Sequence, residues 1–344
     1  MSPRLVNTAP DRFFQAASEA YGHAARGGSV HRDYRIHRWT LRLRFTSTDL
    51  AEALTPAIDH LRVEGARQID FEIRCWHDQV PGRPMPAMPW NNTDILAQGH
   101  IRGFNEGPFR TVYQHGTDAL NMIDLERGTG LFWVRDLQLP DWEKAAPLRN
   151  LLHWWSQEHG LQFMHAAAVG EGGDCVLIVG PGGSGKSTTA LAALMAGMDY
   201  AGDDYVLLET GEAPRVHALY ASAKLEPQQL GRFPELGPHA RHQGGDKTIL
   251  MIASIPGRQM AHPMRIRAVL VPRVTGGPVT RITGLNGGEA LRALAPSTLF
   301  QLPGGRHHAF RQLSALARRL PCHRLELGTE MPGVVSALRQ ALRP

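Results

Sequence analysis

The chain has 344 residues, 42% hydrophobic and 20% charged, with 37 Lys and Arg against 32 Asp and Glu for a net charge of +5. That length allows roughly two domains with sizeable cores, and the composition is that of an ordinary globular protein rather than a disordered or fibrous one. The basic excess is dispersed: no run of five or six lysines or arginines occurs, so nothing in the charge pattern favours nucleic acid as a partner. Three widely spaced cysteines, Cys75, Cys175 and Cys322, make neither a disulfide framework nor a C-x-x-C metal pattern. The opening Met1–Asn7 lacks a signal-peptide apolar region, and no run approaches the ~18 apolar residues of a membrane span. A cytoplasmic protein with no membrane attachment is the expectation.

Along the first 140 residues the pattern is mostly that of strands. Trp39, Leu41, Leu43 and Phe45 alternate with Thr40, Arg42 and Arg44, as in a half-buried strand. Leu50, Ala53, Leu54, Ile58 and Leu61 fall at helical spacing over Asp49–Arg62, with Asp49 as the expected cap. Ile69, Phe71 and Ile73 alternate again. Pro81, Pro84, Pro86 and Pro89 with Gly82 make residues 78–92 an extended loop. Shorter strands are expected at Gly99–Phe104, Arg110–Tyr113, Asn121–Leu125 and Leu131–Val134. Residues 1–140 therefore read as a smaller, strand-rich α+β domain, with substrate recognition its expected task. Residues 141–160 read as a connecting helix capped by Asp141, with Leu148, Leu151, Leu152 and Trp155 on one face. Trp154 and Trp155 are expected to pack between the domains.

The third segment, 161–344, carries the chemistry. Phe163–Gly170 reads as a strand bearing His165; the turn Gly170–Asp174 then leads into the apolar strand Cys175–Val179. Spacing alone leaves His165 open as a hydrogen-bonded core residue or as a group reaching a carboxylate or a phosphate. Gly180, Pro181, Gly182, Gly183, Ser184, Gly185, Lys186 and Ser187 follow as a complete G-x-x-x-x-G-K-[ST] loop, and Thr188–Met195 as a helix. Strand, glycine loop and helix in that order turn backbone N–H groups inward around a polyphosphate, with the helix N-terminus adding partial positive charge. Gly180 through Thr188 are thus the expected nucleotide-binding residues. Lys186 would reach the β- and γ-phosphates and Ser187 would ligate magnesium. Asp203-Asp204, just before the strand Tyr205–Glu209, put two acids where a nucleotide enzyme needs them: one for the metal, one to take a proton from an attacking hydroxyl. Magnesium is the natural partner that keeps both ionised.

Downstream, Met264–Pro272 reads as a central strand, Gly276-Gly277-Pro278 as a turn, and Ala309–Leu320 and Gly333–Leu342 as amphipathic helices, the last opened by Pro332. His307-His308 and the pair His239/His242 have no third ligand at metal-site spacing and read as loop histidines.

The ordered set from His165 to Asp204 resembles the catalytic core of HPr kinase/phosphorylase and its relatives. The resemblance covers about half the chain, and it implies a phosphoenolpyruvate-carboxykinase/HPr-kinase-like α/β P-loop core. It further implies an ATP- and magnesium-dependent serine kinase acting on a peptide or small protein. Asp203 would be the base, Asp204 would act at the metal with Ser187, His165 would position the carboxylate and phosphate, and Lys186 would hold the phosphates. The first 140 residues also look like the accessory domain of HPr-kinase-related proteins of peptide-modification systems, including lasso-peptide kinases; relatives of this kind are often homo-oligomers. One departure stands out. The family's Glu-x-Arg-Gly-Leu-Gly signature is absent where this chain reads Arg215–Leu225, which argues against HPr as acceptor and against a phosphorylase reaction; Lys224 and Lys247 are candidates to supply the missing charge. A nucleotide-gated ATPase without a phosphoacceptor and a kinase of a small hydroxyl compound are the competing readings.

Overall fold

Period-two burial organises the first half of the chain into one sheet. A computed structural model describes residues 8–79, 84–241, 247–299 and 301–343; Met1–Asn7, Pro81, Gly82 and His242 lie outside them. The chain divides into two units, Met1–Glu158 and His159–Pro344.

The first unit holds a seven-stranded mixed sheet in the order Arg62–Val63, Val30–Ile36, Trp39–Phe45, Phe71–His77, Thr129–Val134, Ala119–Asp124 and Phe109–Gln114. Phe71–His77 runs parallel to both of its neighbours. Alternation sends Trp76 and Arg74 to one face, against Tyr21 of the helix Ala9–Ala24. It sends Phe71 to the other face, where the Trp155 indole stacks on it at 5.5 Å and meets Trp39 edge-on. Trp155 is therefore a core residue of the first unit. The sheet spends it on covering its own second face.

Several local expectations are corrected. The helix expected over Asp49–Arg62 is Thr48–Leu54, capped by the Ser47 hydroxyl accepting from the Leu50 N–H rather than by Asp49; Pro56 ends it. Gly99–Phe104 is not a strand: a short 3₁₀ turn at Ala97–Gly99 and single bridges at Ile101 and His100 replace it. The connecting segment is two helices, Asp141–Ala145 and Arg149–Glu158, with Leu148 at φ 57° between them. The helices Ala9–Ala24 and Gly287–Leu299 and the strand Val30–Ile36 were not anticipated. His307 and His308 lie in the first turn of the helix Arg306–Arg319, not in a loop.

In the second unit, nine strands form one mixed sheet whose centre is Met264–Val274, parallel to both Asp174–Ile178 and Cys322–Leu327. Alternation along Asp174–Ile178 puts Val176 and Ile178 in the core under the helices Lys186–Met195 and Met331–Leu342. It puts Cys175 and Leu177 in the opposite core, under Gly287–Leu299 and Arg306–Arg319. All three cysteines are buried free thiols. Among the described residues no helix is long and apolar enough to cross a membrane.

Truncation of Trp155 opens a cavity that the stacked Phe71 cannot fill. Trp155→Ala is expected to cost the first unit about 3–5 kcal/mol, read by urea denaturation; a loss under ~1 kcal/mol would place the indole outside that core.

Candidate functional site

The site begins with two breaks in the sheet. The strand expected over 163–170 is in fact two, Leu161–Met164 and Ala167–Glu171, with His165 in the link. Asp203 and Asp204 lie in a second link, between Asp199–Gly202 and Val206–Glu209. Met164 pairs with Val206 on one side of these links and Ala168 with Gly202 on the other. Thus one histidine and two acids, forty residues apart in sequence, leave the ladder at the same place. Their polar groups are freed from strand pairing there and turned toward one another.

The Gly180–Ser187 loop joins the strand Asp174–Ile178 to the helix Lys186–Met195. Gly185 caps that helix at φ 100°, and a Cβ there would stand 2.5 Å from the Leu327 side chain, so only glycine fits. The Lys186 ammonium, almost fully buried, donates to the carbonyls of Gly180 at 2.8 Å and Pro181 at 3.1 Å, folding back over its own loop. Burial lowers its pKa, and the charges of Asp203 and Asp204 oppose that shift. Ser184 Oγ is buried in the loop with no hydrogen bond.

The two acids live in opposite environments. Asp203 is 2% exposed; its Oδ2 accepts the backbone N–H of Lys224 at 3.0 Å, while its Oδ1 is buried without a partner. Burial raises its pKa, the nearby Ser187 hydroxyl pulls it down, and the neighbouring Asp204 charge pushes it up again. Asp204 has both oxygens occupied: Oδ1 faces His165 Nε2 at 3.1 Å and Oδ2 accepts the Lys224 ammonium. Burial pushes this carboxyl up, but the Lys224 charge and the His165 bond outweigh burial and hold it well below the usual range. His165 must carry its proton on Nε2 to donate to Asp204, and its Nδ1 is buried without a partner. Tyr205 packs beside the imidazole, rings 5.4 Å apart.

One pocket takes in the loop from Gly182 to Thr188, His165, both acids and Lys224. Its apolar wall comes from Val274, Leu327, Met331 and Val334, and the exposed Arg232 and Lys247 also line it. Nothing in the sequence marked that wall: its residues come from strand ends and a helix start 90 to 150 positions beyond the loop. The acid brought to the Ser187 hydroxyl is Asp203, whereas Asp204 is engaged by His165 and Lys224. The Ser187 hydroxyl and the two carboxyls, lining one pocket, are the hard oxygen donors that a divalent cation such as magnesium takes. The residues present fit that ion.

The opposed environments predict opposed stability effects. Asp203, with its pKa raised, favours folding fully below the ordinary carboxylate range, and that contribution is lost as pH rises from that range through the raised value. Asp204, with its pKa lowered, contributes fully above that range and loses its contribution as pH falls. At neutral pH, Asp203→Asn should therefore stabilise the second unit by about 0.5–2 kcal/mol. Asp204→Asn, which strands the buried Lys224 charge, should cost about 3–5 kcal/mol. Calorimetric melting of the two variants checks the pair, and shifts of the same sign would contradict the assignment.

No family model and no curated protein matches the chain. Among solved structures it is similar to the Hpr(Ser) kinase/phosphatase from Coxiella burnetii, with 11% identity and a TM-score of 0.29 over 52% of this chain and 95% of that one.

Proposed function

We propose that this chain is a kinase that moves the γ-phosphoryl group of ATP to a serine-type hydroxyl on a peptide or small protein. The observation that carries the reading is Asp203: a buried carboxyl with one unbonded oxygen, sharing a pocket with the Lys186–Ser187 end of a glycine loop. The serine acceptor follows from the resemblance of the His165-to-Asp204 pattern to HPr kinases.

The loop N–H groups and the start of the helix Lys186–Met195 would receive the polyphosphate. Lys186 would exchange its two loop carbonyls for phosphate oxygens, a trade of neutral acceptors for charged ones. Ser187 would hold magnesium beside the acids, and the ion when bound neutralises charge on the phosphates. The apolar wall around Val274 and Leu327 suits the nucleoside end. As the acceptor oxygen bonds to the γ-phosphorus, the bond to the ADP oxygen breaks and the hydroxyl proton passes to Asp203 Oδ1. The raised pKa of Asp203 favours that transfer. His165 and Lys224 keep Asp204 ionised beside it, so the pair holds one proton-accepting and one permanently charged member.

Incubation of the chain with ATP, magnesium and serine-containing peptides, read by mass spectrometry, should give a phosphorylated peptide. Transfer only to small hydroxyl compounds, or ATP hydrolysis with no labelled acceptor, would replace the peptide-kinase reading. Lys186→Ala should weaken both nucleotide binding and turnover. Asp203→Asn should keep ATP binding and lose transfer by about 10²–10⁴-fold; an unchanged rate would remove Asp203 as the base.

A further inference from the structure

We infer that Lys224 is a ligand of the γ-phosphate, the residue by which this pocket tells a triphosphate from a diphosphate. The inference rests on the kinase reading and adds a contact to it.

Lys224 lies on Ser222–Leu225, the edge strand of a three-stranded sheet completed by Thr248–Met251 and Ala240–Arg241. An edge strand has backbone donors with no ladder partner, and here the Lys224 N–H goes to Asp203 Oδ2 at 3.0 Å. The same residue's ammonium is bonded to Asp204 Oδ2. One residue thus touches both acids, by backbone and by side chain, and so is fixed in place from both ends. Its side chain is only 15% exposed, whereas Arg232 and Lys247, which line the same pocket, are exposed.

Lys186 and Lys224 line one pocket with both acids. Lys186 is held on the loop side by Gly180 and Pro181, and Lys224 on the acid side by Asp204. A phosphoryl group passing from a nucleotide in the loop to a hydroxyl at Asp203 would move within that pocket, which Lys224 lines. An ammonium carries three donors, and Asp204 uses one of those on Lys224. The others make no bond among the described residues and would meet the terminal phosphate, the group passed on to a hydroxyl at Asp203. The α- and β-phosphates stay with the loop and Lys186. Lys224 therefore contacts ATP at a group that ADP lacks.

The test is a pair of affinities, measured calorimetrically for ATP and for ADP with magnesium and without acceptor. Lys224→Met should weaken ATP about 10–100-fold, the range for a lost charged hydrogen bond, and leave ADP within about twofold. Lys224→Arg should restore most of the preference. The double variant Asp204→Asn/Lys224→Met removes the charge that the single variant leaves stranded, and should show the same selective loss; it also serves if Lys224→Met does not fold. Equal weakening of both nucleotides, or of neither, would overturn the role of Lys224 alone. Wild-type chain binding neither nucleotide would overturn the kinase reading beneath it.

Discussion

The second unit turns on the bonding of Asp204 to two donors at once, the His165 imidazole on one oxygen and the Lys224 ammonium on the other. Two adjacent buried carboxyls cannot both be ionised without compensation, because each raises the energy of the other's charge in a medium that screens poorly. Placing both donors on Asp204 resolves the conflict unequally. Asp204 stays charged, and Asp203 is left with a raised pKa, a single backbone donor to one oxygen and none to the other. An even distribution of partners would have produced two inert structural acids. The uneven one leaves a reactive group whose cost the surrounding core must bear, as sites of chemistry commonly require.

The architecture that permits this is a sheet interrupted at one point. His165 and the two acids occupy links between strands, where side chains need not alternate between two packed faces and backbone groups are released from the ladder. The strands on either side remain paired, so the interruption is held rigidly. The helices Lys186–Met195 and Met331–Leu342 pack into one apolar core under the loop, which makes the loop's position a consequence of close packing. Gly185 marks how tight that packing is: the Leu327 side chain fills the space that any Cβ would need. Rigid supports on both sides of a pocket are what preorganised charge stabilisation demands.

The first unit distributes its charges differently. Its charged side chains on neighbouring strands satisfy one another, as in the pair of Asp33 with Arg42 and the bridging of Glu72 between Arg44 and Arg74. Such partly exposed ladders contribute little stability and serve chiefly to fix register. Its two apolar faces are each closed by a helix, Ala9–Ala24 on one and Arg149–Glu158 on the other.

Local chemistry was written plainly in the residues. Alternation at 39–45 and 71–73 is visible because a strand's faces repeat every two positions. The glycine loop and its helix were legible because a tight turn around open backbone donors admits few residue types. The adjacency of Asp203 and Asp204 needed no folding at all to be seen. What the sequence could not express was which acid meets which partner. Lys224 lies twenty residues beyond Asp204, and its approach depends on an edge strand whose pairing is set by residues 248–251. The break at His165 was hidden because Phe163–Gly170 reads as one apolar run, and only pairing with two different strands divides it. Periodicity reports the face a residue occupies; the partner across that face is chosen by long-range packing, which leaves no local trace.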